Sequence, residues 1–338
     1  MLMRWDGDWL HLPTIDRYRR PQHDERLQEM NYRFSGHETF PCRYAWLPKA
    51  FAAIEADHSA FADEEKAMIR LGVGKNMVRA IRFWMVEMSV AIKHADGGYQ
   101  PTDFANAVFN RKKGIDPFLQ DIRTLWLLHW KLSTHSVEEP LFAWDFLINQ
   151  WQSPEICRSS VLQAFRRAAD KENRPPSGVT LEQHFDTFLH TYVPTRSRKG
   201  NIQEDNLDCP LVELEFINLV GERRIDGAEK REPIYAFRME DKPDITPELF
   251  AYALDDYWKK RRSSERTLTF KDVTFAHGSP GQVFKLPERA VRQRLELISS
   301  DSSGPFRYQE SATQQQISRR EGVAAPSIAA AYGEGAPC

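Results

Sequence analysis

Residues 67–109, AMIRLGVGKNMVRAIRFWMVEMSVAIKHADGGYQPTDFANAVF, leave the chain little conformational choice. Val78, Ile81, Met85 and Met88 recur at three- and four-residue steps, the period of one helix face. Lys75, Arg79 and Arg82 follow at i, i+4 and i+7 and share another face. A helix of that pattern buries one side and offers the other to water or to a polyanion. The preceding Leu71-Gly72-Val73-Gly74 supplies a turn, because glycine adopts helix-breaking backbone angles without steric cost. Gly97-Gly98-Tyr99-Gln100-Pro101-Thr102 closes the segment with a short extended tail. Helix, turn, helix and wing in that order predict a helix over 75–92 that can lie against nucleic acid. Three cations on one face are also what an ordinary solvated helix carries, so the segment alone does not decide.

The order recurs near the C-terminus. TFKDVTFA predicts a short helix, His277 to Gly281 a turn, and LPERAVRQRLELI a helix over 287–298. Val291, Leu295 and Ile298 form its apolar side, and Arg289 and Arg292 the other. PFRYQESATQQQISR then reads as two short strands. Between the two units, residues 116–195 carry apolar helical runs. Pro117 is expected to open FLQDIRTLWLLHWKL, LFAWDFLINQW follows, Pro154 is expected to open EICRSSVLQAFRRAADK, and Thr180 is expected to cap LEQHFDTFLHTY. Residues 196–245 read as a connector with a hairpin within 211–239, and Thr246-Pro247 as the start of another helix. The fold class expected is mainly α, with two winged-helix-like units (30–115 and 246–320) flanking a helical bundle and small β hairpins. Residues 1–29 are polar and aperiodic, an extension ahead of Met30 or a flexible arm. Residues 321–338 are rich in small residues, which predicts a disordered tail whose loss leaves stability unchanged.

A formal net charge of -2 excludes a polycation, so any nucleic-acid surface has to be a local patch. Nine Trp and twenty Phe predict a core built on aromatic packing. Cys42, Cys157, Cys209 and Cys338 form no CxxC pair, which argues against a disulfide framework and a zinc site. They are expected to be reduced and mutually distant. No apolar run reaches the length of a membrane span and no signal-peptide pattern opens the chain, so a cytoplasmic protein without membrane contact is expected.

Four constellations bear on chemistry. Phe34-Ser35-Gly36-His37-Glu38-Thr39-Phe40-Pro41 places an imidazole beside a carboxylate, with Cys42 close by, but Ser35-x-x-Glu38 also fits a capping box. A structured turn that packs Phe34 and Phe40 is the favoured reading. His129 lies among Trp126, Leu127, Leu128 and Trp130 with no ligand at i+3 or i+4, the position of a core histidine. Leu71-Gly72-Val73-Gly74-Lys75-Asn76 lacks the spacing of a phosphate-binding loop, and Asn76 stands where Ser or Thr is required. Glu204, Asp205, Asp208, Glu213 and Glu215 could hold magnesium in a nuclease, although they match no motif and read as a solvated acidic connector. No catalytic residue, metal or cofactor is expected.

At FSGHETFPCRYAWLPKAF, LGVGKNMVRAIRFW, DPFLQDIRTLWLLHW and GSPGQVFKL the chain resembles an uncharacterised prokaryotic domain-of-unknown-function family, number 4007 in that series. The resemblance runs from about Met30 to about Arg320. It implies an association with DNA phosphorothioation and phage defence, and it supplies no catalytic residues. The function expected is a non-enzymatic DNA-binding component of such a system, with Lys75, Asn76, Arg79, Arg82, Arg289 and Arg292 at the DNA and modification or defence proteins as partners. A protein-interaction adaptor and, less favoured, a metal-dependent nuclease are the alternatives.

Overall fold

The computed structural model describes residues 31–95, 97–172, 174–194, 209–225, 231–311 and 314–333. The expectations for residues 1–29, for residues 196–208 and 226–230 of the connector and for Glu204, Asp205, Asp208 and Cys338 lie outside them.

Helices α1 (Trp46–Ala56), α2 (Glu64–Leu71) and α3 (Lys75–Glu87) open the fold. The Asp63 carboxylate caps α2, accepting the N–H groups of Glu65 and Lys66 at 3.0 and 3.2 Å. Gly72 ends it in the left-handed region (φ 68°), its N–H on Met68 O. Val78, Ile81, Met85 and Met88 are all buried, as their spacing requires. The helix stops at Glu87 rather than at 92, because Ser89 turns the chain at φ 56° into strand β1 (Ala91–Lys93). β1 pairs antiparallel with β2 (Tyr99–Pro101), and α4 (Asp103–Phe109) follows from a Thr102 cap.

Helix α5 (Ile122–Ser133) begins after an Asp121 cap and not at Pro117, because Leu119 (φ 58°) turns the chain first. α6 (Phe142–Asp145) runs into one π-helical turn, Phe146–Gln150. Pro154 precedes a short strand, β3 (Ile156–Cys157), and only then α7 (Arg158–Ala169). α8 (Gly178–Tyr192) starts two residues before Thr180, because Ser177 accepts the Thr180 N–H at 3.1 Å and takes the capping role. β4 (Ile217–Arg224) and β5 (Arg231–Phe237) form the expected hairpin, which recruits β3 in the order β3-β5-β4. α9 (Pro247–Arg261) starts at Thr246-Pro247 as expected. β6 (Thr267–Thr269), α10 (Phe270–Phe275), α11 (Pro280–Val283), α12 (Glu288–Ser300), β7 (Phe306–Glu310) and β8 (Gln315–Arg319) follow, with the strands in the order β6-β8-β7.

Among the described residues the chain is mainly helical with three small antiparallel sheets, and they do not build two winged-helix-like units around a separate bundle. The expected bundle and the C-terminal segment are parts of one core that runs from Cys42 to Tyr332. His129 joins them. Its Nε2–H can only donate to Val283 O (3.0 Å), so Nδ1 accepts from the Tyr192 hydroxyl (2.9 Å). The same hydroxyl oxygen accepts Trp144 Nε1–H at 3.2 Å. Helices α5, α6 and α8 and the end of α11 meet in this network, so none of them buries its apolar face alone. His129 is thus the core histidine that its neighbours predicted.

The C-terminal expectation also needs correction. Ala329–Tyr332 form a 3-10 turn in which Ala331 and Tyr332 are fully buried against α9. The Tyr332 hydroxyl pairs with Thr124 Oγ1 at 2.8 Å, and the Arg123 guanidinium lies 5.4 Å from the ring centre and donates to Tyr332 O. Small residues before and after hid one aromatic anchor. Cys42, Cys157 and Cys209 are buried and form no disulfide among the described residues. Burial first, and then the neighbouring Cys209, pushes the Cys42 thiol up, so these two are not mutually distant.

Candidate nucleic-acid interface

The three cations of α3 gather on one carboxylate. Glu64, at the start of α2, meets Arg79 Nε at 2.9 Å, Lys75 Nζ at 3.2 Å and Arg82 Nη2 at 3.6 Å. The turn at Gly72 folds α2 back on α3 and so brings Glu64 to this face. The Arg79 hydrogen bond leads in holding the Glu64 carboxyl below its usual range. Three cations against Glu64 and the nearby Glu38 leave the face positive. The Lys75 and Arg79 side chains are 58% and 43% exposed, so they reach solvent while resting on Glu64. Arg82 is more enclosed, and its Nε and Nη2 are buried without a hydrogen-bond partner. Asn76 stands exposed in the first turn of α3, where the Gly74 cap offers no side chain to the free N–H groups.

Asn76 also lines a cleft of about 360 Å³ between the Phe34–Thr39 turn and the first turns of α3 and α8, where Thr180 and Gln183 complete it. Three positions of the turn have positive φ. Gly36 has φ 116°, and a Cβ there would lie 2.6 Å from the Phe83 ring, so only glycine fits. Glu38 and Thr39 are left-handed at φ 50° and 63°, and for a β-branched residue this is a costly conformation. No helix starts at Ser35, so the capping-box alternative does not apply. Strain of this kind persists only where the surroundings over-determine it, and it concentrates at functional sites.

A buried histidine pair holds the turn. His184 Nε2 accepts the Ala143 N–H at 3.0 Å, so its proton sits on Nδ1 and is donated to His37 Nε2, also at 3.0 Å. His37 then carries its own proton on Nδ1, where Thr187 Oγ1 accepts it at 3.2 Å. The Thr39 N–H points at the same Nδ1 from 3.1 Å. The Thr39 N–H is thus directed into the buried imidazole rather than into the cleft. Burial lowers His37 to about 4 and depresses His184 strongly, which keeps both rings neutral.

The second pair of expected contacts is divided. Arg289 is exposed on α12. Arg292 is tied down: it pairs with Glu310, donates to the Tyr308 hydroxyl at 3.3 Å and lies 4.7 Å from the centre of the Phe270 ring. It clamps the β7–β8 hairpin to α12 and α10, whereas Lys75, Asn76, Arg79 and Arg82 come together. Of the acidic cluster, Glu213 accepts from the Tyr44 hydroxyl and Glu215 meets Arg238 at 3.5 Å. Among the described residues no group of three or more Asp, Glu, His or Cys side chains converges to hold a metal. Sequence reasoning treated Phe34–Thr39 as packing. The signal available was the crowding of Ser, Gly, His, Glu and Thr between two phenylalanines.

A family model described as "Protein of unknown function (DUF4007)" matches residues 34–331. The chain belongs to the DUF4007 family. Among solved structures, this DUF4007 chain is similar to one titled "Magnesium ion-bound SspB crystal structure", at 26% identity and TM-score 0.74, over 88% of this chain and 86% of that one. It shares its fold with a second, "SspB crystal structure", at 24% identity and TM-score 0.73, over 89% and 86% of the two chains. No curated protein matches. The cleft and the basic face both lie within the DUF4007 span. No described helix is long and apolar enough to cross a membrane.

Proposed function

We propose that this protein is a DNA-binding component of a DNA-modification or phage-defence system, acting by binding rather than by catalysis. The observation that carries the reading is the convergence of the exposed Lys75 and Arg79 and the half-buried Arg82 on Glu64, with Glu38 nearby, so that cations outnumber carboxylates on this helix face. Phosphates can displace Glu64 from such a face, and counterion release then favours the complex. Phosphate contacts position a protein on DNA, and Asn76 in the adjacent cleft is suited to a base edge. The phosphorothioation setting rests on the family resemblance.

The adaptor reading would draw support from an exposed aromatic patch on the middle helices. Trp126, Trp130, Phe142 and Trp144 are instead buried. The magnesium-bound relative bears on the nuclease reading, but the described residues do not supply a magnesium cage, so no metal-dependent step is derived.

The test is a fluorescence titration of the protein with plain and phosphorothioate duplexes between about 50 and 200 mM salt. The expected result is binding whose log affinity falls with log salt at a slope of roughly -0.9 per phosphate contacted. Absence of binding, or a flat salt dependence, would contradict the reading. A gain-of-function variant sharpens it. Glu64→Gln frees all three cations and should raise affinity several-fold, and an unchanged or lower affinity would count against the face as the contact.

A further inference from the structure

We propose that the cleft beside α3 holds one unpaired nucleotide of the DNA strand that the basic face grips. The proposal rests on the DNA reading above and adds the form of DNA that is recognised. At about 360 Å³ the cleft has the size of a small-molecule site, suited to a single nucleoside and too small for a duplex.

Its lining selects among occupants. Asn76 and Gln183 bring carboxamides that both donate and accept, and Thr180 brings a hydroxyl. Glu38 can only accept when ionised. The Glu38 carboxylate repels a free phosphate or sulfate. A nucleobase carries amino donors beside ring-nitrogen and carbonyl acceptors on one edge, so it satisfies both kinds of group. The phosphates have their own partners outside. Lys75 and Arg79 flank Asn76 along the same helix, and Arg79 lies close enough to Glu38 to sense its charge. A strand that follows these cations passes the mouth of the cleft. Entry from an intact duplex costs unpairing and unstacking, a cost already met at a bulge.

The experiment measures anisotropy titrations of the full chain against a fully paired duplex and the same duplex with one bulged nucleotide, using a pool of the four bases at the bulge. The wild type should bind the bulged duplex about tenfold more tightly or better, the factor expected when unpairing is relieved. Gln183→Trp, which fills the cleft from an exposed position on α8, should abolish the preference while leaving paired-duplex affinity and its salt slope unchanged. Gln183→Ala only shortens an exposed side chain and should lower the preference in part. Equal affinity for the two duplexes overturns the proposal, as does a preference that survives Gln183→Trp in a protein with native circular dichroism. Salt-dependent binding without a bulge preference overturns this inference and spares the DNA reading, whereas absence of all DNA binding overturns both.

Discussion

The protein should lose most of its stability between about pH 6.5 and pH 4, a range in which many folds are unaffected. Three histidines are buried and neutral. His129 is lowered to about 4 by burial, as is His37, and His184 is lowered strongly by burial and by the facing His37. In the unfolded chain each takes up a proton near pH 6.5. Folded pKa values below unfolded ones mean that the stability is fully present above pH 6.5. It is lost as the pH falls towards 4, because the unfolded state binds the extra protons. For His129 alone the difference amounts to about 3 kcal/mol, at 1.36 kcal/mol per pKa unit. The His37–His184 pair acts in the same direction. Since a domain has only about 5–15 kcal/mol in total, melting curves between pH 7.5 and 4.5 should show a steep fall below 6.5. A melting temperature that stays flat down to pH 5 would mean that these rings find charge-stabilising partners.

The second large effect concerns the C-terminal anchor. Deleting residues 327–338, or changing Tyr332→Ala alone, should destabilise the protein by roughly 3–5 kcal/mol, the range for removing a buried large aromatic side chain. The ring is 1% exposed, its hydroxyl pairs with Thr124, and Arg123 bonds both Asp121 and the Tyr332 carbonyl. Loss of the ring leaves a cavity between α5 and α9 and an unpaired buried hydroxyl on Thr124. Chemical denaturation of the two variants checks this, and an unchanged midpoint would return residues 327–338 to the status of a tail.

Much of the local structure was legible because it follows from single side chains. Thr246-Pro247 starts a helix by capping and a fixed φ, and Val78, Ile81, Met85 and Met88 specify a buried face by spacing. Where expectation and structure part, a competing local choice decides. Ser177 outcompetes Thr180 as a cap, and Ile156-Cys157 pair with β5 because the distant hairpin offers that edge. The architecture was not legible, since the contacts that overturn separate units, such as His129 with Val283, span long stretches of chain. The basic face could be read from the periodicity of α3. Its counter-ion Glu64 could not, because only the fold of the Gly72 turn brings α2 across it. The cleft was the least legible, because Phe34–Thr39, Asn76 on α3 and Gln183 on α8 are distant in sequence and meet only in the fold.

The central claim is that the α3 face grips DNA, and one comparison tests it most directly. Wild type and the triple variant K75A/R79A/R82A are titrated with the same duplex over the same salt range, with circular dichroism confirming that both are folded. The fold should survive, because the apolar side of α3 is untouched, Lys75 and Arg79 are surface changes that typically cost within about 0.5 kcal/mol, and the half-buried Arg82 Nε and Nη2 have no hydrogen bond to lose. The account predicts weaker binding and a salt slope shallower by roughly one unit for each phosphate no longer neutralised, up to about three. A folded triple variant that keeps the wild-type affinity and slope would contradict it and leave Lys75, Arg79 and Arg82 as the solvated face of an ordinary helix.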